Sequence, residues 1–503
     1  MKPVLSKELA FNIDKETILS KKFSKKQLMD NAGKKIAQFI LENIKNPFNN
    51  EFIVIAGPGD NGGDAMIAHY YLIEFGISST LLLIGENINN WIFEDYIFNE
   101  KLIKRYQKEY KANTDYWYID GIFGIGLKRE IVGCYKEIIE KLNFCQNIIS
   151  IDMPSGIYSN TGIKAGISIK SKITLALGFF KIGHYFADGL DSKGDLNILD
   201  IGFNSLKNSN KIINIIEKRD VSGLLPINFS NDHKYKRGKL LCLAGTKGYS
   251  GAAIIAANSA YKMGAGIIKL IIPESINGIC ETKLIEAITI PIEDNNIGDL
   301  SKTNINLIKN EIPWCDVMLI GPGLVSKNSK WISNLFKFIN KPLVLDASGF
   351  LPLYNDLIKF NKIPKNTIIT PHLNEFAKIF NINIEVVYND IYSAVINIIP
   401  QLNGRVLILK GPTNIIVTTK GEIFLLDNGK SILATSGTGD ALSGILAALC
   451  CRKLSLDEVA ILGTYIHGES SMIYNNKYGE YGFTASLIPE LLSAAVDSIQ
   501  RVY

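Results

Sequence analysis

No apolar run in this chain is long enough for a membrane span, and the longest, such as Gly266–Pro273, fit buried strands instead. Net charge is also scarce. A formal +5 spread over 503 residues gives no footing for a nucleic-acid surface. The seven cysteines are odd in number and contain no CxxC pair, so reduced thiols in a cytoplasmic setting are expected, with Cys450-Cys451 as core packing. The five histidines have no metal-ligand spacing such as HExxH. Met1-Lys2-Pro3-Val4 lacks the charged-then-apolar layout of a secretory leader. What remains is a soluble globular protein with no membrane partner, which 47% hydrophobic and 20% charged residues fit.

The length predicts two or three domains. β-rich runs alternate with helical patterns throughout, which argues α/β architecture with mostly parallel sheets. In the first half, strands are expected at Glu51–Ala56, Thr80–Ile84, Tyr116–Ile119, Asn147–Ile151, Ile173–Leu177 and Asn197–Asp200, with a helix over Asp64–Glu74. The opening βαβ unit makes this half Rossmann-like and three-layered, with ligand loops at the strands' carboxyl ends. From Gly202 to about Asp232 the chain is polar and weakly periodic, so the seam is placed near residue 215. The domains are then 1–215 and 225–503. The second half restarts with a strand at Lys239–Ala244 and a helix over Gly251–Met263. Strands follow at Ile267–Ile272, Val317–Ile320, Leu343–Leu345, Thr367–Ile369 and Val406–Leu409.

The most informative stretch is Ala434-Thr435-Ser436-Gly437-Thr438-Gly439-Asp440, which runs into an apolar helix at Ile445–Cys451. A helix start offers unpaired N–H groups and a positive dipole end, an anion site. Asp440 in that turn would repel a phosphate, unless its task is to take a proton from a hydroxyl that attacks phosphorus. An Asp helix cap after a Gly-rich turn accounts for the short motif as well. Lys410, in Lys410-Gly411-Pro412-Thr413-Asn414, precedes this loop by about one βαβ unit. It could pair with a nucleotide phosphate, although alone it reads as a surface lysine. His372, in Thr370-Pro371-His372-Leu373-Asn374-Glu375, reads as a capping, core or site residue, while His467 falls on an apolar helix and reads as structural.

In the first half, Gly57-Pro58-Gly59-Asp60-Asn61-Gly62-Gly63-Asp64 joins strand to helix, where glycines let backbone approach a phosphate. A tight turn with a helix cap is the alternative. Asp120–Leu127 and Asp152-Met153-Pro154-Ser155-Gly156 follow two further strands. Three strand ends thus deliver hard oxygen donors to one sheet edge, which suits an alkali or alkaline-earth cation. Asp152 is a candidate proton acceptor.

Leu28–Gly33, the GxGxNGGD loop, DGxFGxGL and DMPSG, in this order, resemble the amino-terminal domain of NAD(P)H-hydrate epimerases. The resemblance implies K⁺ ligands at Asn61, Asp120 and Ser155. It places hydrated-nucleotide contacts at Asp60, Asn61, Gly62, Gly63, Asp64, Gly124, Ile125, Gly126, Leu127, Lys128, Arg129, Glu130 and Asp152. Asp60 stands where that family has Asn and adds negative charge beside a phosphate. Lys181 matches a lysine of the pattern and reads as catalytic or as a solvated strand end. GPGL at Gly321, DAxxF at Asp346, TPHxxEF, KGxxN and GTGD resemble the ribokinase-like ADP-dependent NAD(P)H-hydrate dehydratases. Carried over, Ala253, Gly323, His372 and Asp440 contact the hydrated nucleotide, with Asp440 catalytic. Lys410, Gly411, Pro412, Thr413, Asn414 and Gly439 hold ADP, with Mg²⁺ in this domain. Ser348 and Ser486 stand where that family has Asp.

Together the two resemblances imply an α/β chain of the bifunctional NAD(P)H-hydrate repair family, an amino-terminal Rossmann-like domain followed by a ribokinase-like one. Its expected substrates are NADHX, NADPHX and ADP, with a homo-oligomeric state. The rival is a ribokinase-like small-molecule kinase carrying a non-catalytic amino-terminal nucleotide-binding or interaction module.

Overall fold

In a computed structural model, residues 1–86, 91–206, 212–325, 329–429 and 431–500 are described. The chain forms two compact units, one built on Lys2–Ile212 and the other on Ile213–Tyr388 and Ser393–Tyr503. No helix among the described residues is long and apolar enough to cross a membrane.

The first unit is organised by a seven-stranded sheet. Its strands are β1 (Phe52–Ala56), β2 (Ser79–Leu83), β3 (Ile103–Arg105), β4 (Trp117–Gly121), β5 (Ile148–Ile151), β6 (Ile173–Leu177) and β7 (Asp195–Leu199). They lie in the order β3-β2-β1-β4-β5-β6-β7, all parallel. Side chains alternate across a strand, so one sheet supplies two cores. Phe52, Val54 and Ala56 face one, packed with α1 (Lys25–Asn43) and α2 (Asp60–Glu74). Ile53 and Ile55 face the other, packed with α3 (Cys134–Leu142). That is the expected three-layer arrangement.

The helix after β1 begins four residues earlier than expected. Gly59 caps it, and Asp60–Asp64 form its first turn rather than a loop. The reason is packing. A Cβ on Gly62 would lie 1.9 Å from the carbonyl oxygen of Gly57, so only glycine lets the turn fold so tightly onto the strand end. Likewise β4 continues through Asp120 and Gly121, and the carboxylate expected in a loop projects from within the sheet.

The second unit continues with β8 (Ile213–Ile215), β9 (Lys239–Leu243), β10 (Ile267–Pro273), β11 (Ile288–Ile292), β12 (Val317–Ile320), β13 (Leu343–Leu345) and β14 (Thr367–Ile369). β15 (Val406–Leu409), β16 (Asn414–Val417) and β17 (Ile423–Leu426) complete its sheet, ordered β11-β10-β9-β12-β13-β14-β15-β16-β17-β8. β8 pairs with β17, so the chain joins the second unit at residue 213, within the polar stretch read as the seam. Part of that polar seam, residues 207–211, lies outside the described residues. β15, β16 and β17 pair antiparallel. Between Lys410 and the Gly/Thr/Ser loop the chain therefore makes a meander, not the βαβ unit expected, because the KGPTN turn reverses it directly.

Helices α4 (Ser250–Lys262), α5 (Leu373–Phe380), α6 (Thr438–Cys451), α7 (Leu456–Tyr478) and α8 (Ile488–Gln500) flank this sheet. α6 is buried along nearly its whole length, with Cys450 and Cys451 in the core as expected. It starts seven residues before the apolar run does, so Asp440 sits in its first turn.

Candidate active sites

In the first unit a cleft of about 470 Å³ opens above the carboxyl ends of β1, β4 and β5. Pro58, Gly59, Asp60, Asn61 and Asp64 line it from the α2 turn, Gly124–Arg129 from the loop after β4, and Asp152 from the loop after β5. Gly62, Gly63 and Glu130 do not line it. The first helical bond of α2 runs from Gly63 N–H to Gly59 O, which leaves the N–H groups of Asp60–Gly62 without helical partners, an anion cradle.

Behind this wall, Asp120 ties the loops after β4 and β5 to β5 itself. It is fully buried, and its Oδ2 accepts from Ser150 Oγ at 2.7 Å and Ser155 N–H at 2.9 Å. Its Oδ1 accepts from Ser155 Oγ at 2.6 Å and Ile122 N–H at 3.2 Å. Ser155 Oγ in turn accepts from Phe123 N–H at 2.8 Å. Burial still holds the Asp120 carboxyl above the usual range, although these hydrogen bonds pull it down. Asn61 Oδ1 lies 3.1 Å from where a Cβ on Gly124 would stand, and the amide nitrogen of Asn61 is buried without a partner. An all-oxygen donor set around a buried carboxylate fits a hard monovalent cation. Turning the Asn61 amide over would give that cation another oxygen.

Asp152 stands where β5 ends, at φ 66°, and forms a buried ion pair with Lys181. Its Oδ1 also accepts from Leu177 N–H at 3.2 Å, and Lys181 Nζ donates to Leu177 O at 2.9 Å. Lys181 is thus no solvated strand end. Asp64 faces the same cleft, and burial, then the charges of Asp152, Asp60 and Asp14, push its carboxyl well above the ordinary range. Asp60, the departure from the family pattern, pairs with Lys25 at 2.7 Å on the cleft rim, so its extra charge is partly offset. Lys25, Asp14 and His184 carried no motif signal: each is an isolated residue outside the Gly-rich loops.

In the second unit, the ends of β13, β14 and β15 bring Asp346, Thr370 and Lys410 together. Lys410 Nζ donates to Asp346 Oδ1 at 2.8 Å, and Thr370 Oγ1 donates to the same atom at 2.7 Å. Lys410 is therefore part of a buried network and not an ordinary surface lysine. Burial lowers its affinity for a proton, but Asp346, Glu375 and Asp440 outweigh that and raise it. A Cβ on Gly439 would lie 3.2 Å from Lys410 Nζ, so the ammonium abuts the first turn of α6. That turn is built on Gly437 at φ 94°, a conformation glycine adopts without strain. Thr438 Oγ1 braces it by donating to Leu433 O and Thr435 O.

Asp440 is pushed up to about 7, by burial and by the like charge of Asp346, against the pull of Lys410. His467, buried on α7, bonds through Nε2 to Thr438 O at 3.0 Å and supports the same turn, which agrees with its structural reading. His372 is the cap of α5: its Nδ1 accepts from Asn374 and Glu375 N–H, and its own N–H donates to Glu375 Oε2 at 2.9 Å. Its Nε2 is left to carry the proton, on a half-exposed ring next to Lys410 in sheet order.

Gly323 packs beside Tyr249 and Ala252 at the start of α4, while Ala253 is fully buried beside Gly245. In the KGPTN turn, Asn414 Oδ1 accepts from Gly411 N–H at 3.4 Å, and Thr413 Oγ1 is buried without a partner. Asp346 and Thr370 sat inside quoted motifs without being singled out. A strand-end position followed by a tight turn was the available signal.

Residues 240–493 match the family model described as NAD(P)H-hydrate dehydratase, and residues 25–183 that described as YjeF-related protein N-terminus. The chain is 31% identical to the bifunctional NAD(P)H-hydrate repair enzyme Nnr of Dictyoglomus turgidum over 490 residues, 94% of each chain. It is 29% identical to the same-named enzyme of Vibrio cholerae over 476 residues, 92% of each. Among solved structures, an ADP/ATP-dependent NAD(P)H-hydrate dehydratase from Bacillus subtilis aligns with 57% of this chain and 99% of its own, at 23% identity and a TM-score of 0.48. A ribokinase-like superfamily protein from Enterococcus faecalis aligns with 59% and 99%, at 21% identity and 0.49.

Proposed function

The chain belongs to the family of bifunctional NAD(P)H-hydrate repair enzymes, and we propose that its first unit interconverts the epimers of hydrated NADH and NADPH while its second dehydrates one of them at the expense of ADP. The observation that carries the second half is the Asp440 carboxyl, poised to titrate near neutrality at a helix start beside Lys410.

Hydroxide is a poor leaving group from a saturated ring carbon, and phosphate is a better one. In the proposed step Asp440 takes the proton of the ring hydroxyl, and the oxygen attacks the β-phosphorus of ADP. AMP leaves with the bridging oxygen, and the N–H groups at Gly437–Gly439 hold the developing charge. The adjacent ring proton then passes to the departing phosphate as the C=C bond forms and the C–O bond breaks, giving NAD(P)H and inorganic phosphate. Lys410–Asn414 would hold the adenine nucleotide, with Gly323 and His372 against the hydrated nucleotide. No group of three or more His, Cys, Asp or Glu among the described residues is arranged to hold a metal, so Mg²⁺ is proposed to arrive on the nucleotide's phosphates.

In the first unit Asp152 is the proposed proton acceptor for epimerisation, with Lys181 as its charge partner. Asn61, Asp120 and Ser155 would hold K⁺, which when bound supplies a fixed positive charge behind the nucleotide-binding loops.

Asp440→Asn keeps shape and loses the base, so ADP-dependent turnover of the correct epimer should fall on the order of 10²–10⁴-fold. Near-normal turnover in that variant would remove Asp440 from the reaction. Accumulation of a stable phosphorylated product in the parent enzyme would instead favour the small-molecule kinase reading.

A further inference from the structure

One fully buried imidazole joins the two halves of the Asp152–Lys181 pair. His184 lies three residues beyond Lys181 in a tight turn, Ile182–His184, with no exposed surface. Its Nδ1 accepts from the backbone N–H of Lys181 at 3.1 Å. Its Nε2 lies 3.0 Å from the carbonyl oxygen of Asp152. Because Nδ1 is already an acceptor, Nε2 carries the proton and donates to that carbonyl. The ring is thereby locked in one neutral tautomer, and burial and the charges of Lys181 and Lys193 keep it neutral.

The clamp acts where the backbone most needs one. Asp152 is held in the left-handed region, at φ 66°, where a non-glycine residue must be fixed by its surroundings. Its side chain is fixed separately, by Lys181 and by Leu177 N–H. Lys181 is held at both ends, Nζ by Asp152 and Leu177 O and backbone N–H by His184. Filling this space would need only an apolar side chain. A histidine with both nitrogens spent on the backbones of the two charged residues does something more specific.

We propose that His184 is a positioning residue for epimerisation: its two hydrogen bonds set the Asp152 backbone and the Lys181 backbone in one register, so that the carboxylate and ammonium meet the substrate together. The inference rests on the reading of Asp152 as the proton acceptor of the first centre. It adds a residue to that centre whose side-chain hydrogen bonds with it are to main-chain atoms.

The test uses the full chain and follows epimer exchange of hydrated NADH by chromatography without ADP, so that the second centre is silent. His184→Phe keeps the ring volume and removes both bonds. Its kcat for exchange should fall on the order of 10–100-fold, because a misplacement of about 1 Å costs that much, while KM stays within about threefold. His184→Gln places an amide oxygen and nitrogen where the two ring nitrogens were, and is expected to keep exchange within about threefold of the parent.

ADP-dependent dehydration of the correct epimer by the same samples reports that the second unit is intact, and the near-ultraviolet circular dichroism reports the fold of the first. A folded His184→Phe variant with parental kcat, or one that changes KM alone, overturns the proposal. If His184→Phe does not fold, His184→Gln decides: parental exchange supports the proposal, and a folded variant with exchange reduced more than about tenfold overturns it. Asp152→Asn is run alongside. Parental exchange in that variant would refute the reading of Asp152 itself, an outcome distinct from failure of the His184 inference.

Discussion

In the proposed reaction of the second centre one carboxylate acts as a base beside phosphates, and the residues around it set when it can. Burial and Asp346 raise the Asp440 carboxyl to about 7, and Lys410 pulls it down. A base works in its deprotonated form, so kcat/KM for dehydration should rise as pH climbs towards about 7 and level off above it. The neighbours give the direction of change. Asp346→Asn removes a like charge, so Asp440 ionises more readily and the acid limb moves to lower pH. Lys410→Met removes the opposing charge and moves the limb to higher pH, with weaker nucleotide binding besides. A pH–rate profile of the three proteins checks both directions. A limb that stays put in both variants would mean that another group is titrating.

Elements matter here mainly by where they end. β1, β4 and β5 stop beside one another in the first sheet, and β13, β14 and β15 do so in the second, which is why residues far apart in the chain share a site. In the first unit the ends are laced by Asp120, a buried carboxylate that receives hydrogen bonds from two serines and a backbone amide beyond its own strand's end. A cation bound there would stabilise the folded unit by mass action. Potassium should therefore raise the melting temperature of the parent chain, and the increment should vanish in Asp120→Asn while the increment from ADP persists. Equal potassium increments in parent and variant would exclude Asp120 from the cation site.

The same element ends explain what the sequence made legible. Gly-rich runs after β-branched runs marked the loops at Gly57, Asp120, Asp152 and Gly321, and the strands before them came out within a residue or two, while Gly437 was marked by its glycine run alone. Several things stayed hidden, among them the strands β3 and β11. The helices at Asp60 and Thr438 begin inside their glycine runs, since a close approach at Gly62 and a left-handed Gly437 let a helix start there, and composition alone reads such runs as loop. The antiparallel meander β15-β16-β17 was missed because its turn at Gly411-Pro412-Thr413 resembles a ligand loop. The ion pairs of Lys181 and Lys410 depend on partners 29 and 64 residues away, which no local pattern encodes. His184 left no trace for the same reason, because its partners are backbone atoms.

Among the described residues the chain carries two sheets in two compact units, each with a candidate centre. The chemistry gives a reason for the pairing. Spontaneous hydration gives two epimers, a stereospecific dehydratase can use one, and a companion that interconverts them lets the other drain through the same exit. Each centre has its own carboxylate, Asp152 and Asp440, and each is braced by residues of its own unit. The most direct test supplies ADP and potassium to a mixture of both hydrated NADH epimers and follows the return of the reduced-nicotinamide absorbance, with the parent chain and with Asp152→Ala. The account predicts full recovery by the parent. In the variant it predicts rapid recovery of only the share held in the correct epimer, at the parental rate. If Asp152→Ala lost that rapid phase too, or recovered both shares as fast as the parent, the account of two separable centres would be contradicted.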